Sequence, residues 1–226
     1  IERTILRRQH PVWRARQWLS ESEHEVYSGL RSGLRREAYC FGRVIAKRVI
    51  LAELGGAGMD RPDPAGIEIS SFDGLRFLGR PRIMVNGQIK PWSVSIAHSD
   101  RSLFVAFSAT EGTTVGVDVV GVQHLNEDFM RTWLTAEERE RLDRQKPERR
   151  MRSAVTLWAI KEAFYKAANA GEGFAPRSIA VWNENRAPDQ YRVRLQSVEA
   201  SSVRVWQDAC EISALVELRS HNERRC

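Results

Sequence analysis

The sequence predicts an α+β protein of two pseudo-twofold-related lobes, and three observations lead there. A helical apolar stripe occurs twice, over residues 37–54 and 157–168. Each is followed by short alternating or wholly apolar segments, cut by Gly, Pro and an Asn-Gly pair. The order of helix then strands thus occurs before about residue 112 and again after it, although no repeat of sequence identity stands out. It divides the chain into an N-terminal lobe, 1–112, and a C-terminal lobe, 113–226.

Size and composition allow this. With 226 residues, 42% hydrophobic, and seven tryptophans, the chain can bury a sizeable core. No apolar run is long enough to span a bilayer and no signal-like segment opens the chain. The three cysteines (Cys40, Cys210, Cys226) are far apart without metal-ligand spacing, which fits reduced thiols in a cytoplasmic protein. Ile1 rather than Met at the start fits a trimmed chain or a domain of a longer one. The net charge of +6 suits polyanionic partners, but no nucleic-acid-reading motif accompanies it.

In chain order, residues 1–20 are basic, contain Pro11, Trp13 and Trp18, and read as a strand or a packed arm. In the helix over 37–54, Phe41, Val44, Ile45, Val49 and Ala52 make the apolar stripe. Arg36, Arg43 and Lys47 gather on the far side, with Arg31 and Arg35 just before. That basic set is either a solvated face or a surface for phosphate or an acidic partner. A Gly- and Pro-rich loop over 55–66 lacks any phosphate-cradling pattern. Strands are expected over 67–71, 72–78 and 81–85, with a turn at Gly79-Arg80-Pro81 and a hairpin at Asn86-Gly87. Two more follow, VSIAHSD (94–100), which carries His98, and SLFVAFSAT (102–110).

In VGVDVV (115–120) the valines at 115, 117 and 119 face one way, and Gly116, Asp118 and Val120 the other. An Asp in such a strand needs a partner, either a salt bridge or a metal ion held through oxygen. WLTAEERERL (133–142) opens a helix with a Thr135–Glu138 capping box. A charged linker over 143–150 leads to LWAIKEAFYKAA (157–168). There Leu157, Ile160, Phe164 and Ala168 form the core stripe, while Trp158, Glu162 and Lys166 share another face. Gly171, Gly173 and Pro176 end this helix, and strands are read over 179–182, 191–195, 203–206 and 212–218.

Four segments in this order resemble the 4′-phosphopantetheinyl transferases of the surfactin-synthetase (Sfp) type: GRP (79–81), VSIAHS (94–99), GVDVV (116–120) and WAIKEAFYK (158–166). The family patterns are, loosely, GKP, FNLSHS, GIDIE and WxxKEAxxK, and WLTAEE is similar to a further helix start of the family. The resemblance covers residues 79–173. It implies a two-lobed, monomeric fold with the active site at the lobe interface. The implied reaction moves the phosphopantetheine arm of coenzyme A to a serine of an acidic acyl or peptidyl carrier protein. Adenosine 3′,5′-bisphosphate is released, with Mg2+ as cofactor.

The matched positions imply Asp118 and Glu162 as magnesium ligands, Glu162 also as base, and Lys166 beside the departing phosphate. Lys161 is implied as an auxiliary phosphate contact, and Arg80 and His98 as contacts to the nucleotide and its 3′-phosphate. Arg36, in the arginine-rich segment, is assigned to cofactor binding. Trp158 is expected to pack. Two positions depart from the pattern: Val120 replaces a second strand carboxylate, and Ala97 replaces a serine. The alternative is a catalytically silent coenzyme A- or carrier-binding homologue, for which Val120 speaks. Joint retention of Asp118, Glu162, Lys166 and His98 favours the enzyme.

Overall fold

The computed structural model describes residues 2–5, 16–56, 58, 61–73, 76–122, 126–168, 173–184 and 187–220. Pro11, Trp13, Gly171 and Cys226 lie outside them. The chain is mixed α+β, as expected. Strand β1 (Glu2–Ile5) is followed by helices α1 (Glu21–Gly29) and α2 (Gly33–Gly56). Next come β2 (Ile67–Asp73), β3 (Arg76–Val85), β4 (Gln88–Lys90), β5 (Ser93–His98) and β6 (Ser102–Ser108). The second half runs β7 (Thr113–Gly121), α3 (Glu127–Trp133), α4 (Ala136–Asp143), α5 (Pro147–Ala168), β8 (Ala180–Glu184), β9 (Ala187–Leu195), β10 (Val198–Glu199), β11 (Ser202–Gln207) and β12 (Glu211–Arg219).

The four three-stranded sheets fall into matching pairs. In the first half β2-β3-β4 forms one sheet and β1-β6-β5 the other; in the second half these are β8-β9-β10 and β7-β12-β11. In each half a long helix precedes the meander, and the opening strand pairs with the closing one. α2 packs on Ile67, Ile83, Val94, Leu103 and Val105 to make one core. α5 packs on Val181, Val193, Ile212, Ala214 and Val216 to make another. Ala97, Phe104, Val117 and Leu215 belong to a third cluster shared by β5, β6, β7 and β12.

The repeat extends to a buried clasp. Ser20 caps α1, and Glu23 returns a carboxylate oxygen to the Ser20 N–H at 2.9 Å. The same carboxylate accepts from Lys47 Nζ of α2 at 2.5 Å and from the Ile69 N–H of β2 at 3.0 Å. Lys47 also donates to the Trp18 carbonyl at 2.6 Å. In the second half Thr135 caps α4, and Glu138 accepts from Thr135 N–H at 2.8 Å, Lys161 Nζ at 2.7 Å and Val181 N–H at 3.1 Å. Lys161 donates to the Trp133 carbonyl at 3.4 Å. So WLSESE (18–23) and WLTAEE (133–138) are the same device, with half their letters identical. Six residues with that divergence do not announce a repeat; the structure reveals it.

Two further expectations change. β3 runs unbroken from Arg76 to Val85 through Gly79, whose φ of 78° absorbs a twist where a turn was read. α5 begins at Pro147, inside the supposed linker, because Pro suits a helix's first turn. The Asn86-Gly87 hairpin holds, with φ of 49° and 77° at the two central positions.

Gly116 fixes how closely α5 lies on β7. A Cβ there would fall within the Ala163 carbonyl oxygen and 2.6 Å from the Ala167 nitrogen, both rigid helix backbone. Gly116→Ala is therefore expected to destabilise the protein by about 3 kcal/mol or more, the upper range for overpacking. Urea unfolding measures this, and an unchanged midpoint would refute the close approach.

Candidate active site

The face expected to carry chemistry assembles where α5 crosses β7. Asp118 and Gly116 share one side of β7, so the strand that lets the helix close at Gly116 presents a carboxylate two residues on. Lys166 Nζ reaches Asp118 Oδ1 at 2.7 Å and also donates to the Val117 carbonyl at 3.1 Å. The pair is not sealed: the lysine side chain is 30% exposed and that of Asp118 11%, which leaves an approach from solvent. Glu162, half-buried, sits one turn before Lys166 on the same face.

Burial pushes the Glu162 carboxyl above its ordinary pKa; the Lys166 charge opposes the shift, and the Asp118 charge adds to it. Deprotonated Glu162, the form needed to accept a proton, is therefore lost at a higher pH than for a free carboxylate. Replacing Lys166 with Met removes the opposing charge and raises the Glu162 pKa further. Without metal, the Glu162 carboxyl is expected to titrate at higher pH in Lys166→Met than in wild type. Carboxyl titration by NMR without added metal checks this, and coincident curves in the two proteins would contradict it.

The other expected residues are placed less uniformly. Arg80, on β3, donates to the Ala167 carbonyl at 3.3 Å and so reaches from the first half to the end of α5; burial lowers its pKa. With Pro81 and Trp92 from its own half and Thr113, Ala167 and Arg219 from the other, it lines a cavity of about 780 Å³. His98 ends β5 and is exposed. Arg36 is half-buried near the start of α2. Val120, on the Asp118 side of β7, packs against the second-half core. Trp158 packs as expected, with ring centroids 4.5 Å from Phe129 and 5.5 Å from Phe174.

Lys161 is a correction. It was assigned to a phosphate, but its side chain has no solvent exposure, and its ammonium is used up on Glu138, Trp133 and the Pro176 carbonyl. Lys47 does the same in the other half, where Arg48 and Ala52 stand in the places of Glu162 and Lys166. A lysine kept where the carboxylate and amine are not kept serves the fold. The basic face of the first long helix is corrected too. Lys47 is buried, and Arg43 pairs with Glu23 at 3.6 Å and lies over the Tyr39 ring. Arg31 and Arg35 remain exposed.

Sequence reasoning missed the seam between β5 and β7. Ser93 Oγ accepts the Val115 N–H and Ser95 Oγ accepts the Val117 N–H, each at 3.0 Å. The alternation of serines in SVS (93–95) was its only trace.

Comparison with known proteins bears on residues 114–214, which match the 4′-phosphopantetheinyl transferase superfamily. That span includes both Asp118 and the Glu162–Lys166 turn, and it bears out the expected class of enzyme. No protein of curated function matches the chain. Among solved structures, a holo-(acyl-carrier-protein) synthase from Bacillus anthracis in complex with CoA is 23% identical. The alignment covers 47% of this chain and 95% of that one, with a TM-score of 0.42. The holo-[acyl-carrier-protein] synthase of Thermotoga maritima is 25% identical over 46% and 62% of the two chains, with a TM-score of 0.39. A CoA complex from Chronobacterium ammoniagenes is 23% identical over 48% and 98%, with a TM-score of 0.40. At such scores these likenesses carry no argument beyond themselves.

Proposed function

We propose that the chain transfers the phosphopantetheine arm of coenzyme A to the serine hydroxyl of an acyl or peptidyl carrier protein, as the Sfp-type resemblance implies. The observation that carries the reading is the grouping of Asp118, Glu162 and Lys166 on facing backbone elements within the matched span. The division into lobes 1–112 and 113–226 belongs to the same proposal, with Arg80 and His98 binding the nucleotide from the first lobe.

In this reading Glu162 accepts the proton of the serine hydroxyl. The serine oxygen bonds to the phosphorus that carries the pantetheine arm, and the pyrophosphate P–O bond breaks. Lys166 swings from Asp118 to the departing phosphate, supplying charge where it accumulates, and adenosine 3′,5′-bisphosphate leaves. Arg80 and His98 hold the far end of the substrate, so that binding energy there orients the reacting end.

Asp118 and Glu162 fit a magnesium ion in kind. They are oxygen donors, and Mg2+ is commonly held by one or two carboxylates with phosphates and water. Among the described residues no group of three or more His, Cys, Asp and Glu side chains could hold a metal, so phosphate and water would have to complete the shell where Val120 gives nothing. When bound, the ion would neutralise pyrophosphate charge.

The test is the intact mass of an apo carrier protein incubated with the chain, coenzyme A and magnesium. A gain equal to the phosphopantetheine arm, stopped by EDTA and restored by Mg2+, is expected. Coenzyme A binding without any mass gain, across several carriers, would replace this reading with a silent binding homologue.

A further inference from the structure

Glu211 opens β12 and is 4% exposed, yet it takes part in none of the chemistry above. Its backbone is paired with Gly121 at the end of β7, the strand of Asp118. Its carboxylate accepts hydrogen bonds from Ser99 Oγ, in the turn after His98, and, at 2.7 Å, from Ser102 Oγ, at the start of β6. That turn is otherwise closed locally. Ser99 Oγ accepts the N–H groups of Arg101 at 3.1 Å and Ser102 at 3.0 Å, and the Ser99 N–H donates to the Ser102 carbonyl at 2.9 Å.

The same seam explains why a clamp is needed at that point. Ser93 and Ser95 tie alternate positions of β5 to β7, and the next position in the series, Ala97, has no hydroxyl to offer. Beyond it the side-chain connection passes to Ser99, and its partner is Glu211. His98 lies on this last stretch, on a different lobe from Asp118, and is exposed at the strand end.

We infer that Glu211 is a positioning residue that, through Ser99 and Ser102, holds His98 at a fixed place relative to Asp118 and so sets the grip on the nucleotide end of coenzyme A. A buried carboxylate that accepts from two hydroxyls holds both in place, and its loss relaxes what it holds. The inference rests on the proposed function for the identity of the ligand.

The experiment compares wild type, Glu211→Ala, His98→Ala and the double variant. Each is given coenzyme A and 3′-dephospho-coenzyme A, with KM and kcat read from carrier mass gain, Kd by calorimetry, and folding by thermal unfolding. Glu211→Ala is expected to raise KM and Kd for coenzyme A about tenfold, with a smaller effect on kcat and little effect with the dephospho substrate. It should add nothing further in the His98→Ala background. An equal loss on both substrates, or a loss additive with that of His98→Ala, would overturn the inference, since general loosening predicts both. Where Glu211→Ala does not fold, Ser99→Ala removes one arm of the clamp and is read by the same criteria. A wild type that binds coenzyme A but transfers nothing defeats the functional reading alone, because the Kd comparison still decides for or against Glu211.

Discussion

Glu162→Gln is expected to lower carrier modification by a factor of about 10² to 10⁴, the range that a positioned general base supplies. Glutamine keeps the shape and the half-buried seat on α5 but cannot take the serine proton. Coenzyme A affinity should change far less, because the nucleotide contacts proposed for Arg80 and His98 are untouched. The rate is read as mass gain of the carrier against time, with Kd measured alongside. A variant that keeps more than a tenth of wild-type turnover would remove Glu162 from the role of base. Stability separates loss of chemistry from loss of fold. Burial disfavours the charged carboxylate, so a neutral amide there is expected to leave thermal unfolding unchanged or slightly improved. The sign follows from the raised pKa: the folded state prefers the protonated, neutral form, and stability from that preference is present at low pH and is lost as pH rises through the raised value.

The second large effect concerns Lys161. Lys161→Met leaves Glu138 buried at 1% exposure with a charge and no cation. Breaking one side of such a pair costs about 3–5 kcal/mol. Lys47→Met should cost less, because Glu23, sealed at 2%, keeps the Arg43 guanidinium at 3.6 Å beside its bonds to Ser20 and Ile69. Denaturant unfolding of the two variants should show the larger loss for Lys161→Met. A Lys161→Met protein with wild-type stability and weakened coenzyme A binding would restore the phosphate contact that the buried geometry removes. Fold and chemistry divide here between two lysines five residues apart on one helix: Lys161 faces inward to the clasp, and Lys166 faces Asp118.

Much of the fold was legible because its signals are local. The period of 3.6 residues set α5, alternation set β7 and its two faces, the Asn-Gly pair set one hairpin, and Thr135 with Glu138 set a helix start. The strand face of Asp118 and the helix face of Glu162 and Lys166 were legible for the same reason, but that the two faces meet was implied only by the Sfp-type resemblance. What was not legible depends on distance along the chain. Nothing local shows that the far ends of Lys47 and Lys161 find a glutamate 24 and 23 positions earlier. Positive charge on a helix face is ordinarily solvated, and tertiary burial overrode that expectation at Lys47, Arg43 and Lys161. Glu211 was invisible because its partners lie 112 and 109 residues away. The Gly79 turn was misplaced because a glycine with positive φ can bend a strand as well as end one.

The seam of Ser93 and Ser95 decides what kind of contact joins the two halves. β7 is held to β12 over nine consecutive positions by backbone pairing, a ladder that opens only by unzipping. Across the seam, the Val115 and Val117 N–H groups instead donate to the buried hydroxyls of Ser93 and Ser95. The buried Ala97, Phe104, Val117 and Leu215 cluster and the bonds of Ser99 and Ser102 to Glu211 close the same line. Parting the halves along this line would expose that shared cluster, while the glutamate–lysine clasp of each half lies away from it. The halves are therefore joined through side chains, whereas each is held together internally by backbone pairing.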